Sequence, residues 1–347
     1  MPFLPTKRQF IIALLAVAIA IYSLNGSDIL VAPSSLSSSD DKHGKGKGKG
    51  SYGYNTSMTV DAEYRPIPEH DNLETMRCAA NGKYPFFMYG GEIANWVCNN
   101  RGEQAVTAVM LNIFERECRT PSLNSNNLML DVGSNHGYFG LLALKMGCEA
   151  LLFDLQPECQ QMINNAIVRN NFTKSGRLVP RARGVSDGEG LLMVPSKGCE
   201  GRFPAKAHEQ HNFNQGDTPV QLNPLTQFIR SDQPILMMKV DTEGNEKRVI
   251  DGSMHFFEHH LIKNAIVELT PVLNFWANVG VTAEEVATTF AIIAELGYTM
   301  VSLSDYSVLS TPQDVFNYII QSESQFDMWI TNSTVDAHDL EAIKVKV

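Results

Sequence analysis

Apolar residues along this chain follow two rhythms in turn, and their alternation predicts an α/β fold. Between Arg101 and Glu117 they stand at 105, 108 to 111, 113 and 114, the spacing of a helix that buries one broad face. Leu128 to Gly147, LMLDVGSNHGYFGLLALKMG, reads as a buried strand, a glycine-rich turn and the opening of a helix. Ala150 to Leu155 is a second short apolar run. The stretch from Pro157 to about Asn170 is helical, with its proline suited to the first turn. Further strands are expected at Arg177 to Gly184, Ile235 to Val240, Asn264 to Leu269, and near 299 to 303 and 326 to 331, with a helix from Thr282 to Leu296. Strands alternating with helices mean a mainly parallel sheet covered on both faces. Residues 186 to 233, rich in Gly, Pro, His, Asn and Gln, read as a long irregular insertion of the kind that shapes substrate choice.

The N-terminal region follows another pattern. Lys7 and Arg8 precede the uncharged apolar run Phe10 to Leu24, and a polar turn follows at Asn25 to Asp28. This is the layout of a secretory signal or a signal anchor. The run is shorter than the roughly 20 residues of a full span. Its poor cleavage site favours a retained type II anchor, with the bulk of the chain in the lumen of the Golgi or endoplasmic reticulum; if cleaved, the chain is secreted. Pro33 to Ser57 has almost no apolar residues and reads as a flexible stem. The expected organisation is therefore an anchor over 1–32, a stem over 33–57, a cysteine-containing lead-in over 58–102, a catalytic domain over 103–335 and a tail over 336–347.

Composition adds two constraints. The 347 residues carry 28 basic and 38 acidic side chains, a formal net charge of −10 that argues against general affinity for nucleic acid. The six cysteines form no C-x-x-C pair, and a lumenal chain would pair some of them. Cys78 and Cys98 are the first candidates for a bridge, and the other four are open to being free thiols. Asn55, Asn171 and Asn332 stand in glycosylation triplets, which matter only where exposed.

Candidate chemistry gathers at strand ends, where open α/β sheets bind ligands and where four acidic residues lie: Asp131, Asp154, Asp241 and Glu268. The glycines at 133, 137 and 140 follow Asp131 with the spacing G-x-x-x-G-x-x-G, which departs from the dinucleotide fingerprint. A carboxylate at Asp131 repels a pyrophosphate and suits a cofactor bearing an ammonium group, such as S-adenosylmethionine (SAM). Asp131, with the backbone of Gly133, Asn135 and Gly137, would surround the methionine portion. Asp154, 23 residues further on, can accept hydrogen bonds from ribose hydroxyls, in SAM and nicotinamide enzymes alike. Asp187 could reach the adenine amino group or serve as a turn aspartate beside Gly188. Downstream, KVDTEGNE clusters Lys239, Asp241, Glu243 and Glu246 around Gly244, more charge than helix capping requires. Two carboxylates there can orient an acceptor, act as base or hold a divalent ion; without a histidine pair the metal option has little support.

LMLDVGSNHGYFG, LLFDLQP, GVSDGEG, KVDTEGNEKRVIDG and NAIVELTP, in this order, resemble the FkbM-type methyltransferase family over roughly residues 103 to 332. The resemblance implies a class I SAM-dependent fold with a mainly parallel seven-stranded sheet, and methylation of hydroxyl oxygens, often on sugars or polyketide-like acceptors. It implies SAM contacts at Asp131, Gly133, Asn135, Gly137 and Asp154, and places Asp241 and Glu243 in the family's D-x-E-G motif. Two positions depart from the pattern: His136 stands where an aliphatic residue is usual, and Asp154 replaces the commoner glutamate.

The expected activity is SAM-dependent O-methylation of a glycan or glycoconjugate in the secretory pathway. Asp241 is the first candidate base, with Glu243 or His136 second. Two rivals remain open: an inactive glycan-binding or structural protein on the same fold, and a nicotinamide oxidoreductase that uses Asp154 for ribose.

Overall fold

A computed structural model describes residues 75–99, 102–119, 127–173, 176–178, 183–195, 198–199, 217–271 and 275–344. The expected anchor, the stem and Asn55 lie outside these residues. Among the described residues no helix is long and apolar enough to cross a membrane.

The strands, in chain order, are β1 (Thr75–Ala79), β2 (Pro85–Tyr89), β3 (Leu128–Val132), β4 (Glu149–Phe153), β5 (Gly176–Leu178), β6 (Arg183–Val185), β7 (Gly190–Pro195), β8 (Asp217–Asn223), β9 (Met237–Val240), β10 (Asn264–Leu269), β11 (Thr299–Ser302), β12 (Val308–Leu309) and β13 (Phe326–Thr331). The main sheet has eight strands, in the order β12-β11-β13-β10-β9-β3-β4-β5. The pairs from β10 through β9, β3 and β4 to β5 are parallel, and those joining β10, β13, β11 and β12 are antiparallel. The sheet is thus mixed and one strand larger than expected. The additional strand is the two-residue edge β12, too short to show a period in the sequence.

Every residue of β3, β9 and β10 is buried, which is why these strands are apolar apart from Asp131, Lys239, Asn264 and Glu268. Successive side chains point to opposite faces. Met129, Leu152 and Met237 join the helices Gln104–Glu117, Tyr138–Met146 and Pro157–Arg169 in one core. Leu130, Met238 and Val267 join Glu246–Gly252 and Ala283–Glu295 in the other. Thr282 and Glu285 close a capping box at the start of the last helix.

Three expectations require correction. Arg177 to Gly184 is not one strand: Gly176–Leu178 pairs with β4 in the main sheet, while Arg183–Val185 pairs with β8 in a separate sheet ordered β6-β8-β7. Residues 186 to 233 are not wholly irregular, because Leu192, Val194 and Val220 alternate onto a small core of their own. The other four cysteines are not free: Cys118–Cys148 and Cys159–Cys199 are disulfides, as is the expected Cys78–Cys98. Their sequence separations of 30 and 40 residues are closed only by the packing of helices on the sheet.

The described part of the lead-in, from Thr75, contributes to the core. Phe86 and Met88 of the β1–β2 hairpin are buried with the helices of the first face, and Phe87 exchanges two hydrogen bonds with the Asn170 side chain. At the other end, Ala337–Ile343 forms a helix with an Asp336–Asp339 capping box and buries Ile343.

Candidate active site

Strand order reverses between β3 and β9, and the crevice beyond their carboxyl ends is where the two unusual segments meet. The Asp241 amide donates to the Val132 carbonyl at 3.0 Å, which brings the KVDTEGNE loop across the glycine turn. Gly133 has φ +84°, and a Cβ there would collide with the Asp241 carbonyl oxygen. Only glycine satisfies both conditions. The Gly133 and Ser134 amides donate to the Phe153 carbonyl at 2.9 Å, so the turn leans toward β4. There the Asn135 amide donates to Asp154 Oδ2 at 2.8 Å and the Gln156 amide to Oδ1 at 2.8 Å. Burial pushes Asp154 up to about 7 against the pull of these two amides.

Two cavities open here. The first is lined by Gly133, Asn135, Phe153, Asp154, Gln156, Val185, Ser186, Leu192, Leu222, Asp241 and Glu243, among others. The second is lined by Met88, Trp96, Glu103, Asn135, His136, Tyr138, Phe139, Cys199, Asp241, Glu243, Glu268 and Gln325, among others. They share Gly133, Asn135, Asp241 and Glu243, and so meet at the crevice.

The structure gathers most of the sequence candidates at this junction, with three exceptions. Asp131 lines neither cavity; it lies beneath the turn, 1% exposed, its Oδ2 accepting from the Gly140 amide at 2.8 Å. Burial pushes Asp131 up to about 6. Gly137, with φ +82°, likewise shapes the turn from outside the cavities. Asp187 is exposed, accepts from the Ser186 hydroxyl at 3.0 Å, and lines a neighbouring depression instead. It occupies the turn position beside Gly188.

His136 is buried against Gly90, where a Cβ would strike its ring, and it lies beside Asn135 Oδ1 and Cys199 Sγ. Burial pulls its imidazole down to about 4, a poor match for a base working near neutrality. Glu246 separates from its neighbours in the motif. It is 1% exposed and accepts from the amides of Thr242 and Gly244, the Thr242 hydroxyl and the Trp276 indole. It fastens the loop that presents Asp241 and Glu243, the latter in the left-handed region at φ 53°.

At the second cavity Lys239, Asp241 and Glu268, each noted in the sequence, are joined by Glu103 and Asp327, which were not. Carboxylate oxygens of Glu103, Asp241 and Glu268 lie within 4.8 Å of one another, close enough to share a cation. Lys239 already supplies a positive charge: its buried ammonium donates to Asp241 Oδ2 at 3.2 Å and lies 5.5 Å from the Phe139 ring centre. Burial disfavours that ammonium, but Asp241, Glu103, Asp327 and Glu268 outweigh it and hold Lys239 well above its ordinary value. Burial and the Asp241 carboxylate push Glu268 up. Burial and Glu103 push Asp327, the cross-strand partner of Glu268, up to about 8. The aspartate inside FDMWIT was the available signal, because it puts a charge into an otherwise apolar strand.

Residues 131–300 match the model of the methyltransferase FkbM domain. The chain carries an FkbM methyltransferase domain. Its glycine turn and KVDTEGNE loop both fall within the match, whereas Trp96 and Glu103 of the second cavity come from outside it. No curated relative matches the chain. Among solved structures, the METTL16 MTase domain is 10% identical, with TM-score 0.36 over 67% of this chain and 68% of that one. The O-methyltransferase from Bacillus cereus in complex with SAH is 9% identical, with TM-score 0.34 over 69% and 88%. A protein in the NADB-Rossmann superfamily from Streptococcus agalactiae is 9% identical, with TM-score 0.33 over 67% and 72%. These likenesses are too slight to bear on the FkbM domain's chemistry.

Proposed function

We propose that this chain is a SAM-dependent O-methyltransferase that acts on a hydroxyl of a glycan or glycoconjugate in the secretory pathway. The observation that carries the reading is the meeting of two cavities at Gly133, Asn135, Asp241 and Glu243 within the FkbM domain. The first cavity suits an adenosine: Asp154 offers carboxylate oxygens at the strand tip, and Phe153, Val185 and Leu222 offer apolar walls. Gly133, whose Cβ position is filled by the Asp241 carbonyl, lets the glycine turn and the Asp241 loop cross closely where the two cavities meet. SAM supplies an electrophilic methyl on a sulfonium.

The acceptor oxygen would attack that methyl from the second cavity. Transfer would form the C–O bond as the C–S bond broke with its electron pair left on sulfur, and the Asp241 carboxylate would take the hydroxyl proton. Alignment by the two cavities supplies most of the rate, and the base supplies the remainder. Lys239 holds Asp241 through an ion pair at 3.2 Å, and Glu243 flanks the same junction. His136 serves better as wall than as base.

The secretory assignment draws on three disulfides among the described residues, on the exposed triplets at Asn171 and Asn332, and on the apolar leader Phe10 to Leu24, which would tether the chain to the membrane. The test is to incubate the full-length chain with methyl-labelled SAM and extracted glycans. Alkali-stable label in the glycan fraction is the expected result. Absence of SAM binding by calorimetry together with absence of label would overturn it. SAM binding without any transfer would favour a binding protein on this fold, and a fluorescence change on adding NADH would favour an oxidoreductase.

A further inference from the structure

The second cavity has a mouth that the FkbM match does not cover. Trp96 stands there on the helix Glu92–Cys98, 47% exposed, whereas Trp276 and Trp329 are 3% and 7% exposed. Its indole leans on Gly102, where any Cβ would collide with the ring. The helix is fixed at its end by the Cys78–Cys98 disulfide and beneath by Ala94 and Val97 in the core. An indole held this firmly yet open to solvent is an aromatic platform; it loses little entropy when something stacks on it. The cavity it opens into also presents the carboxyl groups of Glu103, Asp241, Glu243 and Glu268. Carboxyl oxygens accept from hydroxyl or ammonium donors, and they repel anions. The Lys239 ammonium offsets the charge of Asp241, with which it is paired, and so leaves the remaining carboxyl groups to set the sign at the cavity surface.

On the reading that this cavity receives a sugar, we infer that Trp96 and the carboxyl groups of Glu103, Asp241 and Glu268 select an uncharged or aminated sugar over one bearing carboxylate, sulfate or phosphate. The apolar C–H face of the ring stacks on the indole, while its hydroxyl or ammonium edge points at the carboxyl groups. The lead-in would then decide the acceptor, and the FkbM domain would decide the chemistry.

Tryptophan fluorescence tests this directly, because Trp96 is the solvent-open member of the chain's three tryptophans. The full-length protein, with S-adenosylhomocysteine present, is titrated with neutral, amino, uronate and sulfated methyl glycosides. Neutral or amino glycosides should change the emission saturably, and the anionic ones should bind about tenfold more weakly or worse. The signal should vanish in Trp96→Phe, whose fold is checked by thermal melting. Equal or tighter binding of anionic glycosides, no saturable response to any neutral or amino glycoside, or a response that survives in Trp96→Phe would each overturn the inference. Label transfer separates it from the proposed function. A glycoside that saturates Trp96 yet takes no methyl from SAM defeats the methyltransfer reading alone, and preferential labelling of anionic glycosides defeats this inference alone.

Discussion

The backbone amide of Asn135 donates to Asp154 Oδ2 at 2.8 Å, which closes the glycine turn after β3 onto the tip of β4. The same carboxylate faces the first cavity, and burial raises it to about 7. A ribose hydroxyl donates to it best when it is ionised, so the affinity for S-adenosylhomocysteine should rise about tenfold from pH 6 to pH 8. For the ligand-free protein the sign is opposite. A carboxyl with a raised folded value contributes stability in full below its unfolded value near 4, and loses that contribution as pH climbs through about 7. Ligand-free melting temperature should therefore fall over this interval while the ligand-induced gain grows. Asp154→Asn should remove the pH dependence of affinity; a flat calorimetric profile in the unaltered protein would refute a ribose role for Asp154.

Gly133→Ala should be among the most damaging single-methyl additions to the chain. The new Cβ meets the Asp241 carbonyl oxygen in a backbone conformation that L residues avoid. Either β9 shifts or the turn opens, at a cost of about 3 kcal/mol or more. Chemical denaturation should register the loss, and calorimetry should show S-adenosylhomocysteine binding abolished even where the variant remains folded. Retention of both would contradict the close crossing of the two loops.

Glu246→Gln tests the loop anchor separately from the chemistry. The carboxylate accepts from Thr242, Gly244 and Trp276, and an amide cannot accept at both of its ends. Leaving a buried donor unmatched costs about 1–3 kcal/mol. The variant should keep cofactor affinity within severalfold and lose turnover more steeply, because Asp241 and Glu243 ride on the released loop. Unchanged kcat would show that Glu246 is not needed to hold them.

Cys159–Cys199 ties the helix Pro157–Arg169 to a residue whose Sγ lies 3.7 Å from Asn135 Oδ1 and 3.8 Å from His136 Nδ1. Closing a loop of that length is worth about 4 kcal/mol in the chain-entropy model. Replacing both cysteines with serine should lower the melting temperature and weaken acceptor binding more than cofactor binding, since Cys199 lines the second cavity alone. Equal weakening of both would mean that the bridge stabilises the whole molecule without shaping that wall.

Much of the fold was legible because burial leaves a periodic trace. Central strands such as β3 and β10 are apolar but for Asp131, Asn264 and Glu268, and the Ala283–Glu295 helix announces itself by its Thr282 cap. The glycine turn, Asp154 and the Asp241 loop could be read from strand-end position alone. β7 and β8 were hidden by a Gly- and Pro-rich neighbourhood, and β12 by its two-residue length. That Glu103 and Asp327 join Lys239 and Glu268 could not be read, because side chains from separate elements meet only after the sheet is assembled.

By itself the sequence determined an α/β order of elements and an FkbM-type turn and loop. These follow from local properties: side-chain period and glycine's access to positive φ. The tertiary structure alone decided that Asp131 works from beneath the turn, that Glu246 fastens a loop, that all six cysteines are paired, and that Trp96 stands at the cavity mouth. Each of these depends on which distant segment comes to lie against which, and packing of helices on a closed sheet order sets that, not the chain's local pattern.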